Sequence, residues 1–136
     1  MKLFVDTWGW VALADRKESA HIAATEVFRQ ARLSGGAITS NFVLDETFTL
    51  LFQRRPFEDA WHFTSTVVQS PFIDIQEVTA PRFSKTIELR KRFSDKPRIS
   101  FTDLSSMAIM AELGITDILT ADRHFTQVGL GFRALP

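Results

Sequence analysis

The chain has 136 residues, 45% hydrophobic and 24% charged, which is the balance of one soluble globular domain and excludes a disordered chain, a collagen-like fibre and a polytopic membrane protein. Its 16 basic and 16 acidic residues cancel to a formal net charge of zero, so bulk positive charge does not hold it on nucleic acid and only a local basic track remains open. Cysteine is absent, which excludes disulfides, thiolate nucleophiles and thiolate-bound zinc and leaves carboxylates or the three histidines as ligands for any metal.

Short apolar runs alternate with longer stretches of helical period, the pattern of a mostly parallel α/β sheet flanked by helices. Residues 2–5 read as a first strand with Asp6 at its end, followed by a helix to about Ala14. A second helix is predicted over 18–33, stopped by Gly35 and Gly36. Residues 37–39 make a short strand, and 41–54 an amphipathic helix rich in Phe and Leu. Pro56 can open a helix to about Gln69. The alternation of 72–78 predicts a half-exposed strand, 81–93 a helix and 94–98 a loop. A helix from about 101 ends at Gly114. Residues 117–120 form a strand, followed by a short helix near 122–127 and a last strand near 130–134. No linker or repeat divides the chain, so one domain over 1–136 is expected. Asp6 interrupts the apolar N-terminus before a signal-peptide core forms, and no apolar run is long enough to span a membrane. A cytoplasmic protein without membrane attachment is the expectation.

Four carboxylates stand out. Asp6 and Asp122 come directly off predicted strands, and either can cap the helix that follows. Asp103 follows Ser100 by three residues, the spacing of a capping box. Glu46 shares a helix face with Phe42, Val43 and Leu50, so it is expected to turn inward, where an unpaired carboxylate is costly. An arginine partner for Glu46 is the structural alternative. Each acid thus has a local explanation, but their joint placement points to one crevice, because ligands of open α/β sheets bind outside the carboxyl ends of the strands. Clustered acids repel by about 4 kcal/mol per pair at 4 Å in an effective dielectric near 20. Helix dipoles offset only about 0.3–1 kcal/mol each. Raised pKa values or a bound cation must supply the rest. Oxygen ligands without cysteine suit Mg²⁺ or Mn²⁺, ions that bridge to phosphate.

The segments VDTWGW, LDETFTLL, SFTDLSSMAI and ILTADRHF, in this order, resemble the PIN-domain nucleases, above all the VapC-type toxins of toxin–antitoxin pairs. The resemblance runs from residue 2 to about 134 and implies a single PIN-like domain. It also implies a metal-dependent endoribonuclease, commonly a homodimer, whose cleft a cognate antitoxin blocks. Carried over residue by residue, the acidic set falls on Asp6, Glu46, Asp103 and Asp122, as catalytic residues and as ligands of Mg²⁺ or Mn²⁺, with Thr7 and Thr102 as supporting hydroxyls. Water attack on RNA would leave a 5′-phosphate and a 3′-hydroxyl. Trp8 departs from the small polar residue that many relatives carry there. It can narrow the cleft, stack on a base or pack in the core, and the core is the preferred reading.

Other residues speak less specifically. Arg123, next to Asp122, is the basic residue nearest the proposed chemistry. Arg54, Arg55, Arg90, Lys91, Arg92, Lys96 and Arg98 either track a phosphate backbone or form solvated helix faces. The histidines match no metal-binding spacing and read as structural or surface residues. The aromatic residues of the third and fourth helices (Phe42, Phe48, Phe52, Phe57, Trp61 and Phe63) are expected mostly in the core, with some left for a dimer or antitoxin surface. Two other functions compete: a non-catalytic RNA-binding or scaffold module of the same fold, and a receiver-type phosphoacceptor. The second would need paired acids after the first strand and a late lysine, and the chain has Asp6-Thr7 and no Lys beyond position 96.

Overall fold

Leu3, Phe4 and Val5 are wholly buried, as a strand covered on both faces requires, and they form β1 (Leu3–Val5) at the centre of the molecule. The computed structural model covers residues 1–136 and continues with α1 (Thr7–Ala14), α2 (His21–Ser34), β2 (Ala37–Ser40), α3 (Asn41–Arg54) and α4 (Phe57–Gln69). β3 (Ile73–Gln76), α5 (Ala80–Arg92), α6 (Phe101–Leu113), β4 (Asp117–Leu119), α7 (His124–Gln127) and β5 (Arg133–Leu135) complete it. The five strands lie in the order β3-β2-β1-β4-β5 and every pairing is parallel, where the sequence suggested a mostly parallel sheet. In register, Val5 faces Leu119 across β1 and β4. No helix is long and apolar enough to cross a membrane.

The chain builds outward from β1 to β2 and β3, then returns through α5 and α6 to place β4 on the other side of β1. The order therefore reverses between β1 and β4, and a crevice opens there beyond the strands' carboxyl ends. The middle of α6 is buried as it crosses this region: every residue from Asp103 to Met110 is inside. Two of its polar side chains, Ser105 and Ser106, donate to the carbonyl of Thr102, so neither is left unsatisfied. Gly114, with φ +69°, closes the helix in the left-handed conformation that glycine adopts without strain.

Gly9 explains how α1 comes so close to the sheet. A Cβ there would meet the carbonyl oxygen of Leu119 at 2.7 Å and the side chain of Val5 at 3.0 Å. Only a glycine lets α1 pack directly over the ends of β1 and β4, which is where Asp6 and Asp122 emerge. Next to it, the Trp10 indole donates to Thr39 Oγ1 at 3.1 Å, and that hydroxyl donates to the Val5 carbonyl. The buried indole is thereby paired.

Three elements differ from the sequence expectation. α2 begins at His21 rather than 18, because residues 15–20 form turns. β5 starts at Arg133, since Gly129 and Gly131 both take positive φ in the turn before it. The aromatic residues of α3 and α4 divide: Phe48 and Phe63 pack on the core, whereas Phe57 and Trp61 are exposed and stack on each other.

Candidate active site

A cleft of about 590 Å³ opens at the switch point, and Asp6, Glu46, Asp103 and Asp122 all line it. They come from the end of β1, the middle of α3, the first turn of α6 and the segment after β4. Thr7, Trp8, Glu18, Arg54, Arg98 and Ser100 contribute to the same wall.

Asp6 occupies the N-cap position of α1, but its carboxylate makes no capping bond. It accepts instead from Thr120 Oγ1 at 2.9 Å, and Thr120 Oγ1 accepts from the Asp122 backbone N–H at 3.0 Å. One buried hydroxyl thus fixes both acids relative to each other across β1 and β4. Thr120 was not singled out in the sequence. Its only signal there is its place two residues before Asp122 at a strand end. Asp122 Oδ1 accepts from the His124 N–H at 2.9 Å, from one residue before the Arg123 N-cap of α7.

At Asp103 only half of the capping box forms. Ser100 Oγ accepts from the Asp103 N–H at 3.0 Å, but no bond returns from the Asp103 carboxylate to the Ser100 backbone. The carboxylate faces Asp6 and Asp122 instead. Glu46 also departs from expectation. It is exposed rather than turned inward, because the buried face of α3 is Val43, Leu44, Thr47 and Leu51. It reaches the cleft from the flank of the helix and has no arginine partner.

The electrostatics follow from burial. Desolvation is the main cause that raises the Asp6 carboxyl to about 6, with the charges of Asp122 and Glu46 adding to it against the Thr120 hydrogen bond. Asp103 rises further, to about 8, first through burial and then through the charge of Asp6 and the hydrogen bond and charge of Asp122. Two buried acids with no cation beside them are an electrostatic deficit that a metal would cancel.

The donor atoms suit such an ion. Oxygens of Asp103 and Asp122 and a ring nitrogen of His124 lie within 4.8 Å of one another. His124 Nδ1 stands 3.0 Å from Asp122 Oδ1 without the alignment of a hydrogen bond. Its membership of the cluster went unseen in the sequence, where all three histidines read as structural or surface residues. The Thr7 hydroxyl is buried in the cleft wall with no protein partner, as a group bonded to a water of a metal's shell would be. The set is therefore fit to hold a divalent cation.

The remaining candidates fall around this centre. Trp8 is half-buried: it packs against the core, the preferred reading, and also lines the cleft. Thr102 is half-buried outside the lining, and its carbonyl serves the α6 serines. Arg123 is exposed at the N-cap of α7, also outside the lining.

A strand-end acidic cleft in a parallel sheet of this order defines a class, and residues 3–130 match the PIN domain family. The chain belongs to that family. It is 32% identical over 127 residues to the 23S rRNA-specific endonuclease VapC20 of two Mycobacterium tuberculosis strains, covering 93% of this chain and 94% of the relative. The crystal structure of M. tuberculosis VapC20, a sarcin–ricin loop cleaving toxin, superposes with a TM-score of 0.83 at 30% identity, over 93% of this chain and 95% of that one. VapBC2 from Rickettsia felis, solved bound to a DNA fragment from its promoter, shares the fold over the full length of both chains, with a TM-score of 0.80 at 15% identity. Within the PIN family the chain's kinship is thus with the VapC-type ribonuclease toxins, and the receiver-type reading is set aside.

Proposed function

We propose that the protein is a Mg²⁺- or Mn²⁺-dependent endoribonuclease toxin that hydrolyses an RNA phosphodiester bond in the switch-point cleft. The observation that carries this reading is the meeting of Asp6, Glu46, Asp103 and Asp122, from four separate segments, around two carboxyls that lack a cation. These four residues would hold the ion, with the Thr7 hydroxyl on a water of its shell. The bound ion would acidify a water and stabilise charge on the scissile phosphate. Thr120 holds Asp6 and Asp122 in register, and the first turn of α6 presents Asp103. One of these carboxylates, reaching the ion through water rather than directly, would take the proton of the attacking water. The water oxygen bonds to phosphorus as the bond to the 3′ oxygen breaks, leaving a 5′-phosphate and a 3′-hydroxyl.

The kinship with VapC20 favours 23S rRNA, at the sarcin–ricin loop, as the substrate, and hence the cytoplasm as the place of action. A cognate antitoxin that blocks the cleft, and a homodimeric state, belong to the same proposal. Purified protein should cut a labelled sarcin–ricin hairpin at a discrete position with Mn²⁺ or Mg²⁺, and Asp103→Asn should not. Equal cutting by both, or cutting in chelator, would sink the metal-site reading.

A further inference from the structure

The cleft carries five carboxylates, those of the four acids above and of Glu18, and an RNA strand is itself a polyanion. One or two divalent ions serve the scissile phosphate, and the neighbouring phosphates need fixed positive charge from the protein. Only two cationic residues line the cleft, Arg54 and Arg98.

The chain has eleven arginines, and most have a structural partner. Arg29, Arg55, Arg82 and Arg133 pair with carboxylates. Arg32 and Arg92 lie over phenylalanine rings, and Arg90 donates to backbone carbonyls. Arg16, Arg54, Arg98 and Arg123 have neither an ion pair nor a hydrogen bond from the side chain. Two of these four stand in the one cleft where phosphate is expected. The contrast within Arg54-Arg55 is direct: Arg55 is held by Asp15 at 3.2 Å, while its neighbour is free although acids surround it.

The loop bearing Arg98 is also braced. The Arg90 guanidinium donates to the carbonyls of Phe93, Lys96 and Ile99 at 2.6–2.7 Å, tying down both ends of the segment from which Arg98 projects. The backbone that carries Arg98 is held, while its exposed guanidinium has no protein partner to give up before it takes a phosphate in the bidentate manner. Arg90, earlier in the same basic stretch, is thus a structural brace.

We propose that Arg54 and Arg98 hold the RNA phosphates that flank the scissile bond, with Arg90 as the positioning residue for Arg98. This rests on the nuclease reading above. The test is equilibrium binding of a fluorescein-labelled sarcin–ricin hairpin RNA to the cleavage-defective Asp103→Asn protein, across a salt series in Mg²⁺. Arg54→Ala and Arg98→Ala should each weaken binding about tenfold. Each should also flatten the dependence of log affinity on log salt by about 0.7–0.9. Arg54→Lys and Arg98→Lys should keep the slope and lose part of the affinity. Arg90→Gln should weaken binding and leave the slope unchanged, whereas loss of a direct phosphate contact would flatten it. Arg16→Ala, an unpartnered arginine outside the cleft, should change neither quantity. All these side chains except Arg90 are free of protein partners, so melting curves should show the variants folded. Binding and slope unchanged in the Arg54→Ala/Arg98→Ala double variant would overturn the pair and leave the nuclease reading standing. A hairpin neither bound by the parent nor cut by the wild type would overturn both.

Discussion

The strand β4 has a buried aspartate at its start and a cleft of aspartates beyond its end, and the two are built in opposite ways. Asp117 and Asp103 are equally buried, each 9% exposed. Asp117 lies opposite Arg133 in the β4–β5 register, and the guanidinium grips its two oxygens at 2.8 and 3.1 Å. Asp103 has no cation at all, and its nearest charged neighbours are Asp6 and Asp122. A buried carboxylate with a bidentate arginine is complete as part of the fold. A buried carboxylate facing two others is complete only with a proton or a metal ion. The difference separates an acid whose charge the fold itself balances from one whose charge the fold leaves uncompensated.

The largest effect that bears on this contrast is on cleavage. Asp103→Asn should lower the rate by about 10²–10⁴-fold with the fold retained, while Asp117→Asn should cleave at nearly the wild-type rate. Single-turnover assays on the same RNA would compare them. Next in size is Thr120→Val, which removes the hydroxyl joining Asp6 to Asp122. It should weaken Mn²⁺ affinity by about 10–100-fold in a calorimetric titration, since partners that orient metal ligands contribute on that scale.

A smaller effect concerns pH. Asp6 and Asp103 keep their protons to about 6 and about 8 in the folded protein, against 3.8 ordinarily. The folded state therefore binds more protons than the unfolded chain between those values, and metal-free stability falls as pH rises from about 4 to about 8. Mn²⁺ should restore the loss at pH 8. Asp103→Asn, which removes one buried charge, should raise the metal-free melting temperature at pH 8 by about 3–6 °C, and by less at pH 5. Smallest is Arg133→Ala. It strands Asp117, but the arginine is 67% exposed, so water takes over part of its role. Only a small loss of stability is expected in urea melts, with no change in metal affinity.

The site's acids were legible because three of them occupy positions that sequence marks: the residue after a strand or the first turn of a helix. The strand order was not, since short apolar runs state that a sheet exists and leave open which strands are neighbours. Glu46 was misoriented for a definable reason. Of the apolar neighbours that placed it inward, Phe42 and Leu50 are only half-buried, and the buried face centres on Val43, Leu44, Leu51 and Thr47, whose hydroxyl donates to the Val43 carbonyl. Thr120 and His124 escaped notice because their roles exist only once β1 and β4 are adjacent. The half-formed capping box at Ser100 shows the same limit: the spacing located the start of α6, but burial beside Asp6 and Asp122 decided where the carboxylate points.

The contrast between Asp103 and Asp117 is tested most directly by calorimetric titration of Mn²⁺ into the wild type, Asp103→Asn and Asp117→Asn at one pH near 8. Wild type and Asp117→Asn should bind with closely similar affinity, and Asp103→Asn should lose most of it. Equal binding by Asp103→Asn, or a matching loss in Asp117→Asn, would contradict the assignment of the uncompensated acids to a metal.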